Sequence, residues 1–248
     1  MASPITIRKL RAFIAYNTGL ARWLFIHIPK NAGSTMNRHR ELYYRMVKVH
    51  PMFLASADYR NELERTMNRD DEHPGYNHAR WRDVREDVRR NLQAVAVVRN
   101  PWARVVSRYR FALTTISNGE TPAGYVPDSF EAFLEERHVY GNRPFYWHRA
   151  IRGWYPQADH VTDEAGNLRA HILRQERLSD EATRYFNLKT PLRRRNVSRA
   201  GGEKHWKDYY TPKTIQIVAD WYAKDIEMFG FDFDTPARRN CHFPLTEE

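Results

Sequence analysis

The sequence predicts an α/β fold built on a mainly parallel central sheet with helices on both faces. Two stretches carry this prediction, because each passes from a short apolar segment through a sharp turn into a helical pattern: residues 23–36 (WLFIHIPKNAGSTM) and residues 92–113 (LQAVAVVRNPWARVVSRYRFAL). Strands that alternate with helices in this way form parallel sheets. The chain of 248 residues has no internal repeat and no long linker. We therefore expect one domain over residues 1–248, with a core from about residue 22 to residue 233.

The first stretch joins a short apolar segment to a loop that suits an anion. Trp23 to Ile28 is rich in β-branched and aromatic residues and too short for a helix, which predicts a buried strand ending at Pro29. In residues 29–35, which we name the first loop, Gly33 lets the backbone approach a ligand, and the unpaired N–H groups of the next helix favour a phosphate. Lys30 can reach the same anion as a mobile point charge. The loop alone also fits an ordinary turn.

The second stretch repeats this arrangement. Ala94 to Val98 is a continuous apolar run, as expected for a strand covered on both faces. Arg99 and Asn100, which we name the second loop, follow it, and Asn100 can cap a helix that starts at Pro101. Ser107 lies off the apolar face of that helix, which consists of Trp102, Val105, Val106, Tyr109 and Leu113. Because open α/β sheets bind ligands beyond the carboxyl ends of their strands, both loops should open onto one crevice.

Periodicity, capping residues and turn residues predict the remaining elements. Helices are expected at residues 5–20 (or an irregular arm), 36–44, 58–69, 82–90, 130–136 and 180–186, and in a C-terminal segment that Thr211 and Pro212 cap and Gly230 ends. Residues 47–53 should add a strand, residues 160–174 a hairpin that turns at Gly166 and Asn167, and residues 232–248 a tail.

The two loops resemble motifs of a known family. HIPKNAGST is similar to the 5′-phosphosulfate loop, and VVRNPWARVVSRY to the 3′-phosphate motif, of the sulfotransferases that use 3′-phosphoadenosine 5′-phosphosulfate (PAPS). The residues of both motifs are most similar to those of the carbohydrate branch, which includes the heparan sulfate 2-O/6-O and chondroitin-type enzymes. Asn31 replaces the threonine usual there, and Asn100 the usual aspartate. The resemblance implies a fold like that of P-loop NTPases.

The resemblance also implies which residues bind the donor. They are Lys30, Asn31, Ala32, Gly33, Ser34 and Thr35 in the first motif, Arg99 and Ser107 in the second, and Asn196 and Ser198 in a basic loop over the nucleotide. Residues 193–204 equally fit a solvated basic loop.

A catalytic base follows from the same resemblance. The carbohydrate branch uses a histidine between the two motifs, and His78, three residues before Trp81, matches that local pattern whereas His73 does not. A histidine ordinarily titrates near ~6.5, so its neutral imidazole can take the proton of an acceptor hydroxyl. Glu72 is the nearest alternative base, and Lys30 is expected to assist catalysis. Either histidine could instead be an ordinary loop residue.

Net charge narrows the expected partners. A formal charge of +10 and a pI near 9.8 suit a nucleic acid, but acidic residues interrupt the basic ones, as in residues 82–90 (RDVREDVRR). We expect no nucleic acid, and a basic cleft for PAPS and a hydroxylated acceptor, with an acidic glycan as one candidate. Residues 142–157 interleave aromatic and basic side chains, which fits core packing or acceptor binding equally.

The amino-acid composition argues against a disulfide-linked protein, a cysteine-zinc protein and a membrane-spanning protein. A single cysteine, Cys241, excludes an internal disulfide and a cysteine-cluster zinc site, and we expect no metal. Without an apolar run of 18 residues or a signal-peptide core, we expect a cytoplasmic protein with no membrane span. Golgi members of the resembling branch carry a membrane anchor, so the alternative is a relative whose anchor has been removed.

The expected function is transfer of a sulfuryl group from PAPS to a hydroxyl, with 3′,5′-phosphoadenosine (PAP) as the product. A carbohydrate is the favoured acceptor, and a lipid or small molecule is the alternative. A P-loop kinase lacks support, since no G-x-x-x-x-G-K-[ST] motif occurs. A binding module that has lost its chemistry, for a nucleotide or a polyanion, is the non-enzymatic alternative.

Overall fold

The computed structural model describes residues 4–69, 75–117, 128–141, 153–192 and 204–245. In these residues a four-stranded, all-parallel sheet has the strand order β2-β1-β3-β4. The strands are β1 (Trp23–Ile26), β2 (Met46–Lys48), β3 (Gln93–Val98) and β4 (His171–Arg174). The predicted fold class is therefore confirmed.

Helices account for most of the other regular structure in the described ranges. They are α1 (Pro4–Asn17), α2 (Gly33–Asn37), α3 (Ala57–Arg69), α4 (Glu86–Asn91), α5 (Pro101–Ser117), α6 (Phe130–Tyr140), α7 (Gln157–Val161), α8 (Leu178–Phe186), α9 (Pro212–Trp221) and α10 (Ala223–Phe229). Short 3-10 turns span Arg40–Leu42, Pro51–Phe53, Tyr76–His78, Trp81–Asp83 and Trp206–Tyr209.

The register of the central strands brings the two loops together. Ile26 at the end of β1 pairs with Ala96 of β3, and Val98 at the end of β3 pairs with Arg174 of β4. Because all four strands run in the same direction, the loops that follow β1, β3 and β4 lie at one edge of the sheet. Both loops therefore lie at the edge where the sequence analysis expects a common crevice.

Alternating side chains of β1 and β3 form a core on each face of the sheet. Leu24 and Ile26 belong to a cluster that includes residues of α4, α5 and α9, whereas Phe25 lies in a second cluster with residues of α8. This alternation is the two-residue period of a strand. Helices therefore cover both faces, as the sequence predicts.

The segment after the first loop differs from the prediction. The strand ends at Ile26 rather than Ile28, and α2 begins at Gly33 and ends at Asn37 instead of spanning residues 36–44. Tertiary contacts explain the short helix, because Leu42 is buried in the second core and the Glu41 carboxylate accepts hydrogen bonds from two backbone N–H groups of residues 189–190. Likewise, β2 is short because Pro51 begins a 3-10 turn within the predicted strand.

The predicted hairpin at residues 160–174 is wrong. Its turn exists, with Gly166 at φ 83° and a single antiparallel bridge between Thr162 and Leu168, but α7 occupies the start of the segment and β4 pairs in parallel with β3. The local turn signal was correct. β4 pairs with β3 because this position in the central sheet buries most of the residues of β4.

The C-terminal segment is more than a tail. Arg174, 1% exposed, donates to the carbonyl oxygens of Ala237 (2.7 Å) and Phe243 (2.8 Å) and forms an ion pair with Glu181 (2.5 Å). Ala237 is fully buried. The residues after α10 therefore pack against the end of β4. They are held there because the buried guanidinium group of Arg174 needs hydrogen-bond acceptors, and two of their carbonyl oxygens supply them.

The C-terminal helix is divided in two. Thr211 caps α9 and Gly230 ends α10 in the left-handed region, as predicted, but Tyr222 interrupts the helix between them. Tyr222 is 1% exposed, and its hydroxyl donates to the carbonyl oxygen of Gly153 (3.2 Å).

Candidate functional site

The first loop contains two residues with left-handed backbones, and the ring of His27 packs closely against it. Lys30 and Ala32 have left-handed backbones, with φ of 68° and 54°. Gly33 starts α2, and a Cβ atom there would lie 1.7 Å from Nε2 of His27. The close approach of the His27 ring therefore requires glycine at position 33, whether or not a ligand binds the loop.

Asn31 faces the protein interior. Its side chain is 1% exposed, and Nδ2 donates to the carbonyl oxygen of Val97 (2.8 Å) and to Oε1 of Gln157 (2.6 Å). The residue that replaces the usual threonine thus ties the first loop to β3. Only its backbone is left for the ligand contact that the sequence predicts.

Lys30 and Ser34 are more accessible than Asn31, whereas Thr35 is buried. Lys30 is half-buried, with Nζ 4.0 Å from the centre of the Phe111 ring, and Ser34 is exposed. Thr35 borders a cleft of about 490 Å³. The other residues that line this cleft are Arg38, His39, Arg40, Glu41, Thr190, Pro191 and Leu192.

Arg99 stands at the end of β3, beside the first loop. Its Nη1 atom lies 3.4 Å from the carbonyl oxygen of Lys30. The pKa of Arg99 is lowered to about 10, mainly by burial and also by the charges of Arg104 and Arg110, while the charge of Glu176 acts in the opposite direction. Three arginines therefore act on one another here, an arrangement that suits an anion.

Asn100 organises the second loop. Its Oδ1 atom accepts hydrogen bonds from the N–H groups of Trp102 and Ala103, which confirms the predicted cap of α5. Its Nδ2 atom donates to the carbonyl oxygens of Asp232 (2.9 Å) and Thr235 (3.0 Å). An aspartate at this position could cap the helix but could not donate to these carbonyls.

Ser107 and Arg104 lie on α5. Ser107 is half-buried, about two turns from the start of the helix. Arg104, which the sequence analysis missed, is 1% exposed and donates from Nε to the carbonyl oxygen of Pro29 (3.2 Å) and from Nη1 to that of Tyr155 (2.9 Å). An arginine between buried positions of an apolar helix face was the available signal.

Gln157, at the start of α7, was also missed. It is fully buried and its amide contacts Asn31 as well as the backbone N–H (2.9 Å) and carbonyl oxygen (2.8 Å) of Arg99. Sequence offers no signal for it, because these contacts cross 126 and 58 positions of the chain.

His78 lies beside the first loop. It is 8% exposed, its ring centre is 4.3 Å from that of His27, and its Nδ1 atom is 2.9 Å from the carbonyl oxygen of His27. Since a carbonyl can only accept, Nδ1 carries the hydrogen, and Nε2 of the neutral ring keeps the lone pair. Asn77 Nδ2 lies 3.5 Å from that Nε2 and 3.3 Å from His27 Nδ1. The tautomer is the one that a base acting through Nε2 requires.

Some residues that the sequence analysis names fall outside the part of the chain that the structure describes. Glu72, His73, Asn196 and Ser198 lie outside the described residues.

Another histidine, His160, lies next to the backbone of His78. His160 in α7 is fully buried, and it lies close enough to the backbone of His78 for the two to interact. Burial, followed by the charges of Arg104 and Arg80, lowers the pKa of His160 to about 3. The ring is therefore neutral in the folded protein at ordinary pH.

The buried His160 predicts acid-sensitive stability. Between pH 6.5 and about 3 the unfolded chain binds a proton at this residue that the folded chain does not, so the free energy of unfolding falls as the pH falls. From pH 7 to pH 5 this residue should remove about 2 kcal/mol. Urea unfolding of wild type and His160→Gln at both pH values measures the difference. Equal pH dependence in the two proteins would contradict the prediction.

Two features are absent from the described residues. No group of three or more histidine, cysteine or acidic side chains there could hold a metal ion. No helix in the same ranges is long and apolar enough to cross a membrane.

Comparison with known proteins gives one match. A family model described as "Sulfotransferase family" matches residues 21–232. No curated protein and no solved structure matches the chain significantly.

Proposed function

Since this chain belongs to the sulfotransferase family, we propose that it transfers the sulfuryl group of PAPS to an acceptor hydroxyl, with a carbohydrate as the favoured acceptor. One observation carries the choice of donor. The loop that resembles a 5′-phosphosulfate site and the arginine that resembles a 3′-phosphate ligand lie at one sheet edge, with Arg99 Nη1 3.4 Å from the carbonyl oxygen of Lys30. A ligand with anions at both ends of a nucleoside fits this pair of loops.

The charges at this edge support a polyanionic donor. Burial and two neighbouring arginines lower the pKa of Arg99, and Glu176 is the carboxylate that opposes them. The backbone N–H of Asn100 donates to Glu176 (2.8 Å), and burial raises the pKa of that carboxyl group. A 3′-phosphate would stabilise the charged form of Arg99 through a charge-assisted hydrogen bond.

The donor half of the reaction uses residues from both loops. Arg99 and Ser107 hold the 3′-phosphate, and the backbone of residues 31–35 holds the 5′-phosphosulfate. Lys30 stabilises the negative charge that grows on the bridging oxygen as its bond to sulfur breaks. We also propose that Asn196 and Ser198 contact the nucleotide, by resemblance alone.

The acceptor half uses His78. The acceptor oxygen forms a bond to sulfur while the bond from sulfur to the bridging phosphate oxygen breaks. PAP leaves with that electron pair, and the acceptor proton passes to Nε2 of His78. The hydrogen bond from Nδ1 to the His27 carbonyl keeps the required tautomer and stabilises the imidazolium that forms.

A donor and acceptor screen tests the function. Purified protein is incubated with ³⁵S-labelled PAPS and, in separate reactions, with oligosaccharides, lipids and phenols, each with and without EDTA. We expect labelled oligosaccharide and no effect of EDTA.

Other outcomes would change the proposal. Labelled lipid or phenol would replace the carbohydrate as the proposed acceptor, and loss of activity in EDTA would contradict metal independence. Tight PAP binding without transfer to any acceptor, including crude extract of the source organism, would favour the binding module, and preference for ATP over PAP would favour a kinase.

Arg99→Ala is expected to weaken PAP binding by ~10- to 100-fold, because a charge-assisted hydrogen bond contributes roughly 1.5–3 kcal/mol. Adenosine 5′-phosphosulfate lacks the 3′-phosphate, so its affinity should change little. Calorimetry with both ligands makes the comparison.

Arg45→Ala is the matched control for this prediction. Arg45 is also half-buried and also bonds a carbonyl oxygen, that of Phe186, but it precedes β2 at the other end of the sheet. Its loss should leave both affinities unchanged. If Arg99→Ala weakened the two ligands equally, Arg99 would not be the 3′-phosphate ligand.

A further inference from the structure

The amide of Gln157 connects the two loops without belonging to either. Its Oε1 atom accepts from Nδ2 of Asn31 (2.6 Å) in the first loop and from the N–H of Arg99 (2.9 Å) in the second. Its Nε2 atom donates to the carbonyl oxygen of Arg99 (2.8 Å). One planar group therefore sets the separation of the two loops.

A buried carboxylate fixes the direction of this amide. Nε2 of Gln157 lies 3.1 Å from Oδ2 of Asp225, which is fully buried in α10. Asp225 also accepts from the N–H groups of Gln157 (2.9 Å) and Ala158 (2.8 Å). Both oxygens of Asp225 act as acceptors for backbone N–H groups, so Nε2 of Gln157 faces Asp225 and Oε1 faces Asn31. All four hydrogen-bonding positions of the amide are then used.

The connection continues beyond the amide. Asn31 donates to β3 as well as to Gln157, and Arg99 begins where β3 ends. Arg104 joins the start of the first loop to the carbonyl oxygen of Tyr155, two residues before Gln157. The first loop is therefore attached to Gln157 at the start of α7 through Asn31, and to Tyr155 just before α7 through Arg104. The second loop is attached to Gln157 at one residue, through both the N–H and the C=O of Arg99.

We propose that Gln157 is a positioning residue that holds the two loops at the separation of the 5′ and 3′ ends of one nucleotide. This inference rests on the proposed function. A ligand with two anionic ends gains from binding both loops at once, and that gain depends on the distance between them. A ligand with one anionic end does not depend on it.

The test compares three nucleotides on Gln157→Ala. PAP has both phosphates, adenosine 5′-phosphate has one, and adenosine 3′-phosphate has the other. We expect PAP to bind ~10- to 100-fold more weakly than to wild type, and each monophosphate to change by less than about 3-fold. A residue that only stabilises the fold would leave the ratio of PAP affinity to monophosphate affinity unchanged once the folded fraction is known from urea unfolding.

Two further variants complete the test. Thr162→Ala is the matched control, because Thr162 is 1% exposed, lies just after α7 and bonds only the Ala158 carbonyl in the described contacts. It should lose stability and keep the affinity ratio. Asn31→Ala removes the first-loop end of the connection alone, and should lower PAP affinity by ~5-fold or more with little effect on either monophosphate. It serves also if Gln157→Ala does not fold.

The outcomes separate the two proposals. Equal losses for all three nucleotides, or no loss for PAP, in folded Gln157→Ala or Asn31→Ala would overturn the role of Gln157 while leaving PAP as the ligand. Failure of wild type to bind PAP would instead reject the proposed function.

Discussion

His78→Ala is expected to lower turnover by about 10²- to 10⁴-fold and to leave PAP affinity unchanged. Without the imidazole, the acceptor hydroxyl must lose its proton to water during attack on sulfur. The structure adds a reason for the choice of atom, because the hydrogen bond from Nδ1 to the His27 carbonyl leaves Nε2 as the proton acceptor. Single-turnover kinetics with labelled PAPS, and calorimetry with PAP, measure the two effects.

The pH dependence distinguishes a base from a packing residue. In wild type, turnover with saturating substrates should rise with pH as the imidazole loses its proton and then level off. In His78→Ala this rise should disappear, and added imidazole should restore part of the activity. A variant that only lost packing would be less stable but would keep the wild-type profile.

His73→Ala and Glu72→Gln are the controls for His78. Both residues precede His78 in the same segment of sequence. His73→Ala should be mild. The assignment of the base would be wrong if His78→Ala kept more than about a tenth of wild-type turnover when chemistry limits the rate, or if Glu72→Gln were the more damaging change.

Lys30→Ala is expected to lower turnover by ~10²-fold or more, with a smaller loss of PAPS affinity. The ammonium group interacts most strongly with the leaving oxygen when charge has developed there, so its loss acts on the transition state more than on the bound donor. Its left-handed backbone and its contact with the Phe111 ring hold the residue at the mouth of the first loop. Steady-state kinetics with PAPS as the varied substrate separate kcat from KM.

Lys224→Ala is the control for Lys30→Ala. Lys224 is a lysine whose ammonium group pairs with Asp159, but it is exposed and lies on α10 rather than in the first loop. Its removal should leave both constants unchanged. A Lys30→Ala enzyme with normal kcat and only a raised KM for PAPS would mean that Lys30 holds the donor without assisting the chemistry.

Local patterns in the sequence were sufficient for the elements that adjoin the site. The apolar run before Arg99, the cap at Asn100 and the α5 face from Trp102 to Tyr109 are all present. Such features depend on contacts between neighbours in sequence, so composition and spacing determine them. The roles of Lys30, Arg99, Ser107 and His78 stay predictions, although the structure brings the first loop, Arg99 and His78 to one edge of the sheet.

Only the tertiary structure decided how the two loops are held. Asn31 turns inward, Arg104 bonds the first loop, and Gln157 joins both loops, because each forms hydrogen bonds to groups far away in the chain. The same holds for β4, whose partner is β3 rather than a hairpin strand, and for the C-terminal residues held by Arg174. A buried polar group must find partners wherever the fold brings them. The sequence by itself therefore determined which elements carry the candidate residues, and the packing of distant segments determined the geometry of those residues.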